Sequence, residues 1–334
     1  MEKNTFGQKI LNYFVKTLNG MALGLFSTLI IGAIIGQIGD LVGWQPLIDL
    51  SGFLKSFMGI GIGLGVAWSL GLTGLPLIAG AVAGGVATKV ANDPMVAYLT
   101  AVAAIEGTRN ILRKKTPVDI LLVPAISVAI AFTVANIIGG PVSYMMQSIG
   151  RFVQMATEYQ PFMMGVIIAV VMGMVLTAPI SSAAIAYAIT LNGIAGGAAL
   201  IGGVVQMIGF AVMSRKDNNI GQVLSIAFGT SMLQFKNVLR KPIIWLPTII
   251  VSAILGPVST IIFKIETAAT GSGMGTSGLV GQFATLEVMG YTVPVFISIF
   301  ILHFVLPIVL VFAVDWFFRK KNWIKPGDLR LDNE

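Results

Sequence analysis

The chain has 334 residues, of which 56% are hydrophobic and only 10% are charged, and its formal net charge is +7. Soluble domains carry about 25% charged residues, so the composition excludes an ordinary soluble protein and indicates a chain surrounded by lipid. The chain contains no cysteine, which excludes disulfides, thiolate metal ligands and a phosphocysteine.

The first residues are basic and partly apolar. Lys3, Lys9 and Lys16 stand among apolar residues, and no short apolar core with a small-residue cleavage site follows them. This is not the pattern of a secretory signal peptide. We predict that residues 1–17 form a cytoplasmic amphipathic lead-in to the first transmembrane helix.

Long apolar runs follow, each close to the 20 or so residues that a bilayer-spanning helix needs. They lie near 18–40, 52–72, 118–140, 161–180, 195–214, 243–263 and 291–318. Shorter segments rich in Gly, Ala, Ser and Thr lie between them, at 74–91, 95–107, 181–192, 219–234 and 274–289. Short, interrupted apolar segments are typical of re-entrant hairpins and broken helices that line a protein-enclosed cavity.

These patterns predict an all-α polytopic membrane protein of elevator-transporter type. It would have about eight to ten transmembrane helices plus re-entrant or broken half-helices. We place one transmembrane domain at 18–318 and a charged cytoplasmic tail at 319–334. The five tryptophans fall at or near predicted span ends, as an aromatic belt requires: Trp44, Trp68, Trp245, Trp316 and Trp323.

Basic residues cluster between the apolar runs, at 113–115, 215–216, 236–241 and 319–321. The positive-inside rule predicts that these clusters are cytoplasmic. The net charge is thereby explained without a nucleic-acid partner. Since the head and the tail are both basic, we expect both termini on the cytoplasmic side of a bacterial cytoplasmic membrane, with an even number of crossings.

Two stretches of the chain match each other. Asn110–Lys114, Val123-Pro124 and Gly140–Ser143 recur in the same order as Asn237–Lys241, Leu246-Pro247 and Gly256–Ser259. We predict an internal repeat of about 71–143 and 193–259, because duplicated halves are common in transporters. Chance similarity between low-complexity apolar stretches is the alternative. Two basic, cytoplasmic turns favour a parallel over an inverted duplication.

Polar groups inside apolar segments are costly and therefore mark candidate functional sites. Asn92 and Asp93 precede Pro94 between two small-residue segments, and the carboxylate can bind a cation or a sugar hydroxyl. The alternative is that Asp93 only caps the following helix. Glu106, Gly107 and Thr108 end an apolar half-segment, where glycine lets a ligand approach the backbone. Here the alternative is a structural pair of Glu106 with Arg109.

The matching place in the second copy supplies neutral groups, Thr230 and Ser231, followed by Gln234. A glycine-rich run at 271–278 contains Gly273, Thr276 and Ser277, and Gln282 follows it. We predict that this run is a backbone-lined binding loop; a flexible loop is the alternative. The run is not a P-loop, because no Gly-Lys-Ser/Thr follows. Ser181, Ser182 and Gln206 are lesser candidates, since helix–helix hydrogen bonding explains them as well.

His303 is the only histidine and lies inside the last span. A packed, hydrogen-bonded role is favoured over a proton relay, and one histidine alone cannot build a metal site. No nucleophile–base arrangement is visible in the sequence. We therefore predict neither a catalytic site, a metal nor a cofactor.

The segment Lys115–Pro124, with the small-residue segment before it and the Asn-Asp-Pro turn, resembles the membrane-embedded enzyme IIC proteins of the sugar phosphotransferase system. It is closest to the divergent group that includes the PfoR-type regulators. The resemblance covers roughly 15–320. It implies a homodimer with a scaffold region and a mobile substrate-binding core that contains re-entrant hairpins. The phosphorylated histidine and phosphocysteine of that system would belong to separate IIA and IIB partners.

These observations lead to one main hypothesis and two alternatives. The main hypothesis is a permease that moves a small, sugar-like solute by alternating access. Asp93 and Glu106 would contact solute hydroxyls, and the loop 271–278 would close the cavity. The first alternative is an ion-driven transporter in which Asp93 or Glu106 holds a proton or sodium ion. The second is a membrane sensor that binds its ligand and acts through a partner.

Overall fold

A computed structural model describes residues 6–114 and 116–331, so the start of the predicted lead-in, Lys115 and residues 332–334 lie outside it. Within these ranges the fold is helical, and the one isolated β-bridge joins Gly193 to Thr267. The predicted all-α fold class is confirmed. The chain divides into two compact units, unit 1 at 1–145 and unit 2 at 146–334.

Unit 1 contains the helices that lie before and around the first basic turn. They are α1 (Phe6–Leu25), α2 (Ile31–Val42), α3 (Gln45–Ser56), α4 (Met58–Ser69), α5 (Leu75–Val90), α6 (Pro94–Ile111) and the start of α7 (Asp119–Ala156). A π-helical turn, Phe26–Ile30, joins α1 to α2 without a break. The predicted lead-in does not stand apart, because α1 runs through residue 17 and buries Val15 and Thr17.

Glycine contacts hold unit 1 together. A Cβ atom on Gly65 of α4 would overlap the backbone oxygen of Gly20 in α1, and one on Gly84 of α5 would overlap that of Gly59 in α4. Helices in lipid associate through this kind of close backbone approach, because lipid offers no hydrophobic driving force between them. The glycines therefore explain why α4 lies between α1 and α5.

Unit 2 contains the end of α7 and the remaining helices, several of them short. They are α8 (Pro161–Thr177), α9 (Ser182–Ala188), α10 (Gly193–Ser214), α11 (Ile220–Phe228), α12 (Phe235–Arg240), α13 (Leu246–Pro257), α14 (Ala269–Ser272), α15 (Val280–Met289), α16 (Val293–Phe300) and α17 (Leu306–Lys320). Turns of 3₁₀ helix occupy Ser231–Gln234, Pro242–Trp245 and Ser277–Leu279, and π-helical turns occupy Val258–Phe263 and Ile301–Val305.

Among the described residues, five helices are long and apolar enough to cross a membrane, or six if the bent pair α3–α4 is one span. The five are Asn12–Val42, Asp119–Ala156, Gly193–Ser214, Pro242–Phe263 and Val293–Lys320. This count is lower than the eight to ten that we predicted. The run at 161–180 ends as a helix at Thr177, because Ala178 precedes a proline and is extended. The run at 52–72 belongs to a pair bent by 48°.

Basic residues at the ends of α12 and α17 lie at one end of unit 2, which we call the basic end. Arg319 Nη2 donates to the carbonyl of Met213 over 2.9 Å, which joins the ends of α17 and α10. Lys241, after α12, pairs with Asp328 over 2.6 Å. At the opposite end, Gly193 pairs with Thr267 and Thr260 bonds the carbonyl of Pro161. Thus α10 and the span ending in α17 both run towards the basic end.

Two segments of unit 2 enter and leave at the same end. Residues 219–241 start after α10 and finish at Lys241, both at the basic end. Residues 268–292 start beside Thr267 and finish where the span Val293–Lys320 begins, both at the opposite end. Both are therefore re-entrant hairpins, which agrees with the predicted half-depth segments 219–234 and 274–289.

Candidate functional site

The tips of the two hairpins meet on α10. Gly203 lies ten residues after the start of this helix, which places it about 15 Å in, close to half the thickness of a bilayer core. A Cβ atom on Gly203 would lie only 3.0 Å from the Cα of Gly275, at the tip of the 268–292 hairpin. Absence of a side chain at Gly203 therefore lets the glycine-rich loop reach the middle of the unit.

Hydrogen bonds fasten this loop to its neighbours. Thr276 donates its hydroxyl proton to the carbonyl oxygen of Ala227, at the tip of the other hairpin. Ser182, which follows the break after α8, donates to the carbonyl oxygen of Gly273 over 2.7 Å. Three interruptions of helix thus converge on α10. Non-helical backbone at membrane depth is tolerated where it is enclosed by protein or lines a cavity.

Gln206, one turn beyond Gly203, is the centre of a buried polar cluster. Its Oε1 accepts hydrogen bonds from Trp245 Nε1 at 2.9 Å, Thr248 Oγ1 at 3.0 Å and Thr177 Oγ1 at 3.1 Å. Ser231 joins the cluster, 2.9 Å from the Thr177 hydroxyl. Because an indole N–H only donates, Oε1 must face Trp245. The Nε2 of Gln206 is left buried and without a protein partner.

Gln282 and His303 form a second buried pair. Gln282 Nε2 lies 3.4 Å from the Gly275 carbonyl oxygen and 3.2 Å from His303 Nδ1. With Nε2 as the donor, Nδ1 accepts, and a neutral imidazole then carries its proton on Nε2. His303 lies in the π-helical turn Ile301–Val305, a feature that occurs frequently at functional sites.

Several atoms around these two clusters are buried without a protein hydrogen-bond partner. Leaving a buried polar group unpaired costs about 1–3 kcal/mol, so each such group in a folded protein calls for an explanation. A ligand with matching groups supplies one. The atoms are Gln206 Nε2, Ser277 Oγ, Gln282 Oε1 and His303 Nε2.

Other residues that the sequence singled out in unit 2 have their polar groups engaged by the protein. Thr230 caps the 3₁₀ turn by accepting from the backbone N–H of Met232 at 3.1 Å. Gln234 donates to the carbonyl oxygen of Leu329 at 2.9 Å. Trp245, expected in an aromatic belt, points its N–H at Gln206.

The candidates of unit 1 lie at the two ends of α6: Asn92 and Asp93 directly precede it, and Glu106, Gly107 and Thr108 lie in its last turns. Asp93 caps α6, since its Oδ1 accepts from the backbone N–H groups of Met95 and Val96. Its Oδ2 is buried without a partner, and Asn92 beside it is exposed.

Glu106 accepts from Tyr13 at 2.8 Å and from Arg109 at 3.0 Å. Gly107 faces Ile130, and Thr108 Oγ1 is buried without a partner. For Asp93 the structure shows the helix-capping contact, and for Glu106 it shows the ion pair with Arg109. Both were set out above as alternatives to a solute-binding role.

The sequence predicted Gln206 as a lesser candidate and His303 as a packed, hydrogen-bonded residue, and the structure places both in buried polar clusters. Both are polar residues within long apolar helices, and that setting was the available signal. The partners of Gln206 come from α8 and α13, far away in the chain, so spacing did not reveal them. Across the described residues, no three His, Asp or Glu side chains lie close enough together to hold a metal ion.

Comparison with known proteins gives one family. The family model described as "Phosphotransferase system, EIIC" matches residues 15–331, which is nearly the whole chain and includes every residue of the clusters described above. Neither the curated proteins nor the solved structures contain a significant match.

Proposed function

Because the chain belongs to the phosphotransferase system EIIC family, we propose that it is a membrane permease that moves a neutral, hydroxyl-rich solute across the bacterial cytoplasmic membrane by alternating access. The solute site would lie where the two hairpins of unit 2 meet on α10. The meeting of those hairpins, with unpaired polar atoms around it, is the observation that carries the proposal.

Opposed hairpins suit alternating access. One hairpin enters from the basic end and the other from the opposite end, so each can open the site towards its own side while the other keeps it closed. Transporters place their solute at such midplane sites, built from broken helices. The glycines at the tip of 268–292 allow close approach, and Gly275 and Gly278 have positive φ angles that other residues rarely adopt.

The unpaired atoms favour an uncharged solute. Gln206 Nε2 and His303 Nε2 offer donors, Gln282 Oε1 offers an acceptor, and the Ser277 hydroxyl offers both. A solute hydroxyl both donates and accepts, so a sugar or sugar alcohol matches this mixed set. An unmatched solute would leave buried groups unpaired, which is how such a site discriminates.

Phosphoryl transfer would take place on other proteins. The chain has no cysteine, and its single histidine is buried inside the last span. We therefore propose separate IIA and IIB partners on the cytoplasmic side, which the positive-inside rule assigns to the basic end. The homodimer that the sequence resemblance implied is part of the same proposal.

The test is a thermal-shift screen of the detergent-purified protein against hexoses, hexitols and disaccharides, followed by counterflow in liposomes. For a solute that binds, Ser277→Ala and Gln282→Leu should each weaken affinity by about tenfold, because each removes one buried hydrogen bond. Gln45→Leu is the matched control, since Gln45 bonds the exposed Asp49. Binding that neither Ser277→Ala nor Gln282→Leu alters would disprove the site.

Asp93 favours one second candidate function, ion-coupled transport. Its Oδ2 is buried without a partner, and a buried carboxylate can carry a proton or sodium ion. Uptake into liposomes under an imposed ion gradient, with no phosphoryl donor, would support this candidate if Asp93→Asn abolished it. Binding without any counterflow would instead support a sensor.

A further inference from the structure

The C-terminal segment returns across the basic end of unit 2. We call residues 324–331 the strap. Ile324, Leu329 and Leu331 are buried, with 1%, 0% and 6% of their surfaces exposed. The segment predicted as a charged cytoplasmic tail is therefore docked on the fold over most of its described length.

One edge of the strap binds the connection between α10 and α11 through its backbone. The N–H groups of Gly327 and Leu329 donate to the two carboxylate oxygens of Asp217, at 2.9 and 3.3 Å. Asn218 accepts from the N–H of Leu331 at 2.7 Å and donates to the carbonyl of Leu329 at 2.8 Å. Alternate residues of the strap are thus held at the start of the 219–241 hairpin.

Another set of contacts binds the returning arm of the same hairpin. Gln234 donates to the carbonyl of Leu329 at 2.9 Å, and Asn237 donates to that of Arg330 at 3.1 Å. Lys241 pairs with Asp328 at 2.6 Å. The strap therefore ties the two ends of the hairpin together.

The strap is connected to the solute site through this arm. Gln234 ends the 3₁₀ turn that begins with Ser231, and Ser231 contacts Thr177 of the Gln206 cluster. A displacement of the strap would therefore move the 3₁₀ turn, and the Ser231 side chain of the Gln206 cluster would move with it. Such a contiguous chain of packed and hydrogen-bonded groups can carry coupling between two places in a protein.

We propose that the strap is a latch that holds the 219–241 hairpin closed, and that its release opens the solute site towards the basic end. This inference rests on the proposed function, because it states how access to the proposed solute site is controlled. Some of the contacts are open to competition by water: the bond from the Gly327 N–H to Asp217 is exposed, and the side chains of the Lys241–Asp328 pair are 32% and 21% exposed. The bond from Gln234 to the Leu329 carbonyl is buried.

The test uses the absence of cysteine in the chain. Leu233→Cys places a reporter at a position of the hairpin that is only 7% exposed, and Ile168→Cys places one in the core of α8, at 0%. Each is combined with Asp328→Lys, which breaks the pair with Lys241 and the hydrogen bond that Asp328 accepts from the N–H of Lys325, and with the charge swap Lys241→Asp/Asp328→Lys, which restores the pair alone. The rate of maleimide labelling is measured in proteoliposomes.

We expect Asp328→Lys to raise labelling at Leu233→Cys by about fivefold, because local opening becomes easier when a contact is lost. The charge swap should recover most of the protection, and labelling at Ile168→Cys should stay unchanged throughout. Leu329→Ser, which disrupts the packing of the strap, should act like Asp328→Lys.

Two results would overturn the latch. Labelling at Leu233→Cys that neither Asp328→Lys nor Leu329→Ser changes would show that the strap does not control the hairpin. Increased labelling at both reporters would show that the strap only stabilises the whole unit. The readout needs no solute, so a working latch in a protein that binds none of the tested sugars would contradict the proposed function alone.

Discussion

Units 1 and 2 both pack their helices through glycine contacts, but their buried polar groups are arranged differently. In unit 1, α4 lies between α1 and α5 on glycine contacts; in unit 2, α8 lies between α10 and α13 on similar ones, through Gly202 and Gly256. Unit 1 pairs the carboxylate of Glu106 with Tyr13 and Arg109. Unit 1 also buries unpaired oxygens, Asp93 Oδ2 and Thr108 Oγ1. Unit 2 differs because three helix breaks meet around one helix, together with unpaired donors and acceptors.

This comparison distinguishes features that reflect helix packing from features that indicate a functional site. Glycine contacts allow backbones to approach in lipid and occur in both units, so they do not identify a site. Broken helices are costly in lipid unless a cavity or enclosing protein satisfies them, so their concentration in unit 2 is informative. Gly74 precedes α5 and Gly193 begins α10, and both have positive φ angles; the internal repeat stays a prediction.

The largest effect should come from the shared packing. Gly65→Ala in unit 1 and Gly202→Ala in unit 2 would each drive a methyl group into a backbone oxygen. We expect each to destabilise the protein by about 3 kcal/mol, since backbone cannot move aside as a side chain can. The measurement is the melting temperature in detergent.

Gly52→Ala is the matched control for these two variants. It lies in the exposed α3, and nothing lies within 4 Å of an added Cβ atom. Alanine should be neutral there or raise stability by up to about 1 kcal/mol, the helix-propensity difference. A stable, active Gly202→Ala protein would show that α8 and α10 are not packed as described.

The second-largest effect is expected from a change at Gln206, which tests the polar cluster of unit 2. Gln206→Met keeps the shape of the side chain but removes the acceptor of Trp245, Thr177 and Thr248. We expect a loss of about 1–3 kcal/mol of stability, because the indole N–H is left unpaired, and solute affinity reduced by about tenfold. Gln160→Met, at the exposed start of α8, should change neither. Undiminished solute affinity in Gln206→Met would remove this cluster from the site.

A smaller effect is expected from the corresponding change in unit 1. Tyr13→Phe removes the hydroxyl that donates to Glu106 at 2.8 Å. A hydrogen bond to a charged group contributes about 1.5–3 kcal/mol when buried, but this one is half-buried, so we expect about 1 kcal/mol. Solute uptake should remain. If Tyr13→Phe abolished uptake in a protein that still folds, residues of unit 1 would be needed for transport. The proposed difference between the two units would then be wrong.

The positions of the helices could be predicted from the sequence better than the partners of the polar side chains. Hydropathy places both ends of Gly193–Ser214, Pro242–Phe263 and Val293–Lys320 within two residues, because lipid selects for apolar length. The prediction is wrong for the end of α7, which runs to Ala156 and not to residue 140, and for the start of the first span, which lies at Asn12 and not at residue 18. The short segments 219–234 and 274–289 were also recognised as re-entrant. Which polar groups are engaged depends on partners distant in the chain, such as Leu329 for Gln234 and Tyr13 for Glu106. No local pattern indicates such partners, so these roles required the structure.

The smallest effect should come from Arg109, which pairs with Glu106 of unit 1. Its pair with Glu106 is exposed, with 56% of the arginine side chain open to solvent. Exposed ion pairs contribute about 0–1 kcal/mol, because solvent and salt screen them. Arg109→Gln should therefore shift stability by less than about 0.5 kcal/mol and leave uptake intact at low and high salt. A large loss of uptake with unchanged melting would instead mean that Arg109 orients Glu106 towards a solute, and that the acidic residues of unit 1 belong to the transport path after all.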